Sequence, residues 1–193
     1  MKAFKLMLAV LMAMMAFSTF SMADSAKEID SDSDKALQKF YHEVPGGKKF
    51  LDEKAKGYVI FPEVNEVGFF IGGQYGEGAL RINGTTKSYH SITSLSAGMQ
   101  MGVQSFSLVI AFTTERALND FILDDDDWET DFANKIVIAD WTTDNDDVDE
   151  VDYGTSMVGF VYDTTGMIGK FSFEGTKFER INPDDDDGLH GIL

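Results

Sequence analysis

The chain has 193 residues, no cysteine and a formal net charge of −17, with 16 Lys and Arg against 33 Asp and Glu. The absence of cysteine excludes disulfides, a thiolate nucleophile and a zinc–thiolate site. The acidic balance makes nucleic acid an unsuitable partner, because phosphate binding needs clustered Lys and Arg.

The first residues, Met1 to Ala23, have the pattern of a secretory signal peptide. Two lysines, Lys2 and Lys5, lie near the N-terminus. They are followed by an apolar run, Leu6 to Phe17, that is too short to span a bilayer as a helix. Ser21-Met22-Ala23 then supplies the small residues that signal peptidase needs before its cleavage site. We expect cleavage after Ala23, which removes two of the 16 basic residues and leaves a soluble periplasmic or secreted protein of net charge −19.

Two short helices are predicted at the start of the mature chain. Residues 24–33 are polar, lack a hydrophobic period and are predicted to form a flexible leader to one domain over residues 34–193. The first helix is predicted from Asp34 as N-cap, with Phe40 on its apolar face, and it ends before a Pro-Gly-Gly sequence. The second is predicted over Lys48 to Ala55.

After Gly57 the apolar period changes from that of a helix to that of strands. Runs rich in β-formers, separated by glycines or by turn signals, predict strands at 58–61, 67–71, 79–82, 87–92, 95–104, 107–112, 136–141, 156–162 and 167–173. One further helix is predicted over Glu115 to Ile122, capped by Thr114.

Nine of the 18 glycines fall between Gly57 and Gly102, which indicates sharp bends, bulges or closely spaced backbones. Asn83-Gly84 is a hairpin signal. The predicted fold is therefore α+β: a strongly curved, barrel-like antiparallel β-sheet with short N-terminal helices and one further helix.

Four motifs in this order resemble those of the SYLF domain, over about residues 35 to 182. They are KAKGYVIFP at 54–62, GFFIGGQYGEG at 68–78, SAGMQMGVQS at 96–105 and GMIGKFSFEGT at 166–176. The resemblance implies a non-enzymatic lipid-binding module, whose eukaryotic relatives bind phosphoinositide membranes in part through a basic, amphipathic N-terminal segment. Bacterial relatives are mostly stand-alone exported proteins, so the implied partner is an anionic phospholipid or the envelope membrane surface.

The candidate lipid contact is the basic segment, residues 48–56. Residues 35–56 carry six Lys against three acidic residues, whereas the chain from Gly57 onward carries 7 basic and 25 acidic residues. A helix with lysines beside apolar side chains can bind the interface of an anionic bilayer. Alternatively, the helix packs on the sheet and its lysines form a solvated face. The predicted lipid-binding residues are Lys48, Lys49, Phe50, Leu51, Lys54 and Lys56.

Two other readings remain open, and no cofactor is predicted. The acidic runs 124–127, 144–152 and 184–187 are either solvated loops or Ca²⁺ ligands, which would make the chain a cation-binding or envelope stress-response protein. Glu77 and Glu174 sit in matching glycine contexts and could form an acid–base pair, although a Glu in a glycine turn more often accepts backbone N–H groups. No nucleophile is evident beside them, so an enzyme is not expected.

Overall fold

The computed structural model describes residues 24–68, 71–97, 102–123, 135–139, 148–149, 152–165, 173 and 175–183. The predicted signal peptide and most of the acidic runs lie outside these residues. Three helices and seven strands occur within them: α1 Ala26–Glu43, α2 Gly47–Glu53, β1 Gly57–Gly68, β2 Ile71–Ile82, β3 Thr85–Ala97, β4 Gly102–Phe112, α3 Glu115–Leu123, β5 Val137–Ile138, β6 Met157–Thr165 and β7 Thr176–Ile181.

The seven strands form one sheet in the order β5-β6-β4-β1-β2-β3-β7. The α+β class is confirmed. The prediction of an antiparallel sheet is wrong at one edge, because the short strand β5 pairs with β6 in parallel. The barrel-like form is not confirmed, because the described strands end in two edges, β5 and β7, that do not pair with each other.

A β-bulge in β1 decides which side chains face which side of the sheet. The pairing of β1 with both of its neighbours shifts around Pro62 and Glu63. One extra residue in a strand inverts the alternation of side chains beyond it. Val64 and Glu66 therefore face the same side as Phe61, although plain alternation from Phe61 would point both to the opposite side.

Each face of the sheet carries its own apolar core. On the α3 face, Leu118 and Phe121 of α3 join a buried cluster that includes Phe61, Phe112 and Phe178. On the α1 face, a second buried cluster contains Phe40 of α1, Phe50 of α2, and Phe160 and Tyr162 of β6. A sheet covered on both faces explains why β4 and β6 are nearly continuous apolar runs rather than alternating ones.

Helix α1 begins at Ala26, eight residues before the predicted start, so residues 26–33 are helical rather than a flexible leader. Ser25 and Glu28 form a capping box, in which each side chain binds the backbone N–H of the other. Ile29, which is 2% exposed, lies on the buried face of α1 together with Ala36 and Phe40. The helix is thus held by a local cap and by burial, neither of which depends on a high fraction of apolar residues.

Asp30 connects α1 to the sheet by hydrogen bonds. Its carboxylate accepts hydrogen bonds from Thr86 (2.6 Å) and Tyr89 (3.0 Å) on β3 and from Arg81 (3.3 Å) on β2. In the second half of the helix, the Tyr162 hydroxyl donates to the Ala36 carbonyl at 3.0 Å. These contacts fix the helix across the sheet.

Two local predictions are confirmed. The turn between β2 and β3 is Asn83-Gly84, with positive φ angles of 51° and 74° that suit a two-residue hairpin. The Thr114 hydroxyl accepts the Ala117 N–H at 3.2 Å and caps α3. The strand predicted at 167–173 lies outside the described residues except for Phe173, and β6 continues into the loop predicted from Asp163.

Candidate functional site

The basic segment, residues 48–56, comprises most of α2 and the turn that leads from it to β1. Its four lysine side chains are exposed, with Lys48 and Lys49 at 62% and 58% of their maximum. Lys54 and Lys56 follow on the turn that connects α2 to β1. The structure therefore brings the four predicted cationic residues to one short stretch of surface.

The two apolar members of the predicted site do not reach that surface. Phe50 is 1% exposed and Leu51 is 5% exposed, and both belong to the core on the α1 face. The Phe50 ring meets Phe160 edge to face at 5.3 Å and Tyr153 at 5.9 Å. An interfacial helix that inserts these side chains into a bilayer is incompatible with this packing.

Two of the four lysines form ion pairs. Lys48 pairs with Asp52 one turn further along α2, and its ammonium also lies 5.6 Å from the centre of the Tyr41 ring. Lys49 pairs with Asp149 at 2.6 Å, and this hydrogen bond lowers the pKa of the Asp149 carboxyl. No ion pair of Lys56 occurs within the part of the chain that the structure describes.

A cleft of about 430 Å³ borders the basic segment between α1 and the start of β1, and we call it the α1–β1 cleft. Leu37 and Leu51 form apolar parts of its wall, and Tyr41 and Tyr58 contribute phenol rings. Burial raises the pKa of both tyrosines, that of Tyr58 to about 12. Both hydroxyls therefore remain protonated at neutral pH, and they form a hydrogen bond with each other.

The cleft also contains a buried cationic side chain with an unused donor. Arg81 pairs with Asp34 at 2.9 Å and with Asp30 at 3.3 Å through its two terminal nitrogens. Its third nitrogen, Nε, is buried and has no hydrogen-bond partner. Lys56 lines the same cleft. The cleft also contains the carboxylates of Asp34 and Asp52. An anion placed there would meet the ammonium group of Lys56, whereas the Nε of Arg81 is buried beneath the surface.

The other predicted candidates are only partly described. Glu174 and the acidic runs lie outside the described residues apart from Asp149 and Asp152, so the acid–base pair and the calcium loops stay untested predictions. Glu77 accepts the backbone N–H of Asp24 at 3.0 Å and the hydroxyl of Tyr75. No group of three or more His, Asp or Glu side chains in the described ranges is arranged to hold a metal ion.

One set of polar side chains was missed by the sequence reading. Gln74, Glu66 and Gln104 lie directly opposite one another on β2, β1 and β4. All three are on the α3 face, one row beyond the apolar pair Val64 and Phe106. We call these three residues the polar row. In the sequence Gln74 and Gln104 fall in two different motifs and Glu66 falls in none of the four, and only the bulge in β1 places Glu66 on the same face as the glutamines.

No helix of the described residues is both long and apolar enough to cross a membrane. A scan of the chain against models of known protein families gives no match, and neither does a search of the curated proteins.

Proposed function

We propose that this chain is a non-enzymatic, SYLF-like protein of the bacterial envelope that binds the headgroups of anionic phospholipids at the basic segment. The observation that carries the proposal is the basic segment, where four exposed lysines lie on one short stretch of surface and Lys56 borders the α1–β1 cleft. Their ammonium groups are suited to phosphate oxygens, because hydrogen bonds between charged groups are the strongest of their kind.

The surrounding lysines would contribute long-range attraction rather than insertion. Each Lys near an anionic membrane contributes about 1 kcal/mol, and this attraction fades within a Debye length. Because Phe50 and Leu51 are buried, binding should be peripheral, reversible and sensitive to salt. The acidic remainder of the chain would face away from the bilayer and limit contact to this segment.

The test is flotation of the chain from Asp24 onward with liposomes of phosphatidylglycerol and cardiolipin in low salt. A variant with Lys48, Lys49, Lys54 and Lys56 all changed to Gln should lose most of the floated fraction. The matched control changes four exposed lysines elsewhere, Lys27, Lys35, Lys39 and Lys87, to Gln. Both variants have the same net charge, so only the position of the removed lysines differs.

Wild type and control should float with anionic liposomes and not with phosphatidylcholine. The proposal is wrong if both variants lose binding equally, because bulk charge rather than the basic segment would then govern it. It is also wrong if wild type fails to float at all. Two single variants distinguish the contribution of the cleft from that of the other lysines. We expect Lys56→Gln to weaken binding more than Lys48→Gln, because Lys48 is already paired with Asp52.

We further propose that Met1 to Ala23 is removed during export. The backbone nitrogen of Asp24 lies 3.0 Å from a Glu77 carboxylate oxygen. Cleavage would convert that amide into an α-ammonium group and the neutral hydrogen bond into an ion pair. Expression of the full chain in a bacterium, followed by N-terminal sequencing of the periplasmic fraction, should give Asp24 as the first residue. A product that stays in the cytoplasm with Met1 intact would contradict this part of the proposal.

A further inference from the structure

The polar row contains three buried oxygens without a hydrogen-bond donor. They are Oε1 of Glu66, Oε1 of Gln74 and Oε1 of Gln104. Glu66 itself is only 5% exposed. Buried polar groups in folded proteins nearly always have a partner, so three unpaired acceptors on adjacent strands call for a specific explanation.

The orientation of the row is set by one hydrogen bond. Gln104 donates its Nε2–H to Oε2 of Glu66 at 3.0 Å. Rotating that carboxamide by half a turn would place its oxygen against the carboxylate, so the amide oxygen must point away from Oε2. The second carboxylate oxygen of Glu66 remains without a donor.

The residues on either side of the row confine these oxygens. On β1 and β4 the next residues on the same face toward the core are Val64 and Phe106, which are apolar and buried. In the other direction lie the backbone pairs formed by Gly68 with Gly72 and with Gly102. Among the described residues, no hydrogen-bond donor therefore reaches the three oxygens from either of these neighbouring rows. Along the row itself, Ser94 of β3 lies opposite Gln74, but Oε1 of Gln74 still has no hydrogen-bond partner.

We propose that the polar row binds a hard metal cation, with Ca²⁺ as the best-fitting candidate. One carboxylate and two carboxamide oxygens belong to the ligand types that Ca²⁺ takes in proteins. Opposite residues on neighbouring strands are about 5 Å apart, so side chains of this length can converge on one ion from three strands. Water and nearby backbone carbonyls would complete the six to eight oxygen ligands that Ca²⁺ needs.

The site differs from the calcium loops predicted from the acidic runs and is independent of lipid binding. It contains a single carboxylate, lies on the α3 face of the sheet, and uses neutral amides rather than surface aspartates. A cation here would cross-link β2, β1 and β4, and it would compensate the one buried carboxylate among them.

The test measures thermal unfolding of the chain from Asp24 onward, which contains every described residue. Samples contain 150 mM NaCl, to suppress weak binding by surface carboxylates, with either EDTA or 5 mM CaCl₂. Calcium should raise the Tm of wild type by at least about 2 °C, because a ligand that binds only the folded state stabilises it. The matched control Glu63→Gln removes an exposed carboxylate from the same strand and should keep that rise.

Glu66→Gln should abolish the calcium-dependent rise while unfolding at the same or a higher Tm than wild type in EDTA, because its carboxamide retains an acceptor for Gln104 and replaces the buried oxygen that lacks a donor with an NH₂ group. Gln74→Met retains the length of the side chain but removes one oxygen ligand. It should weaken calcium binding in a calorimetric titration by about tenfold. This second variant keeps the proposal testable even if Glu66→Gln does not fold.

A local readout separates this site from the acidic loops. The side-chain carboxamide signals of Gln74 and Gln104 should shift with calcium in ¹H–¹⁵N NMR spectra, saturating at the concentration that raises the Tm. The proposal is overturned if these signals do not move, if Glu66→Gln shows the same calcium response as wild type, or if calcium up to 5 mM leaves the wild-type Tm unchanged.

Discussion

At the scale of single residues, glycines in β2 determine how closely two strands approach at the bulge. A Cβ atom added to Gly78 would lie 2.2 Å from the Ile60 carbonyl oxygen and 2.7 Å from the Phe61 ring. The first of these atoms is backbone, which cannot rotate away. At Gly73 of the same strand, the nearest atom to an added Cβ would be 3.7 Å away, an ordinary contact.

Gly78→Ala should therefore destabilise the protein by about 3 kcal/mol, because overpacking in the core costs roughly this amount. Gly73→Ala is the matched control and should change the free energy of unfolding by less than about 1 kcal/mol, with any gain coming from reduced freedom of the unfolded chain. Urea unfolding followed by circular dichroism measures both. Equal losses in the two variants would show that the close approach at Gly78 does not exist.

His90 is a buried titratable group at the same scale. It is 4% exposed, its Nε2 lies 2.8 Å from the Ser88 hydroxyl, and its ring contacts Phe121 of α3 at 4.5 Å between centroids. Burial, with a smaller contribution from the charge of Arg180, lowers the pKa of His90 to about 4. The folded protein thus keeps this imidazole neutral over a pH range in which the unfolded chain protonates it.

The sign of the pH effect follows from that difference. As the pH falls below about 6.5, the unfolded state binds a proton that the folded state does not, so stability decreases until about pH 4. In His90→Gln the free energy of unfolding should fall by up to about 3 kcal/mol less than in wild type between these pH values. The difference between the two proteins' profiles of unfolding free energy against pH measures this. The control His42→Gln changes an exposed histidine. Parallel profiles for wild type and His90→Gln would refute the prediction.

At the scale of elements, α1 shows how a polar segment can be a structural part of the fold. Its first two turns contain mainly charged residues and Ser, and a reading of hydrophobic period alone therefore begins the helix at Asp34. The recognisable signals were the Ser25-to-Glu28 capping box and Ile29, which lies seven residues before Ala36 on the same helical face.

Ile29→Ala tests whether this first part of the helix packs in solution. Loss of a fully buried Ile side chain should cost about 2 to 4 kcal/mol. Lys27→Ala, an exposed position two residues earlier, should change stability by less than about 0.5 kcal/mol. Chemical denaturation gives both values. If Ile29→Ala leaves the free energy of unfolding unchanged, the first part of α1 does not pack in solution, and the flexible leader expected from the sequence is the better description.

The strands were easier to predict than their registers. Composition and turn signals located parts of β1 to β6, because β-branched runs and Asn83-Gly84 act locally. They missed β7, and the strands predicted at 67–71 and 95–104 each include the end of one strand and the start of the next. The bulge at Pro62 and the parallel edge strand β5 depend on long-range pairing, which leaves no local pattern. For the same reason the sequence placed the lysines of the basic segment close together but did not show that Phe50 is buried, and the polar row left no pattern in it.

At the scale of the whole molecule, residues 24–193 carry a net charge of −19, and half of the described ion pairs join two exposed partners. Such pairs contribute little to stability. Like charges on a compact domain repel one another and favour unfolding. The basic segment is the net-positive exception, so salt should act on stability and on membrane binding in opposite directions.

Raising NaCl from 10 mM to 150 mM shortens the Debye length from about 30 Å to about 8 Å. The Tm of wild type should rise across this range, because screening weakens the repulsion among acidic groups. Over the same range, the fraction that floats with anionic liposomes should fall, because screening also weakens the attraction of the four lysines.

The two variants that each lack four lysines have a net charge of −23, and both should show a steeper gain in Tm than wild type. A Tm that falls with salt would mean that attractive pairs outweigh repulsion, and binding that does not change with salt would mean that contacts other than the lysines hold the protein to the bilayer.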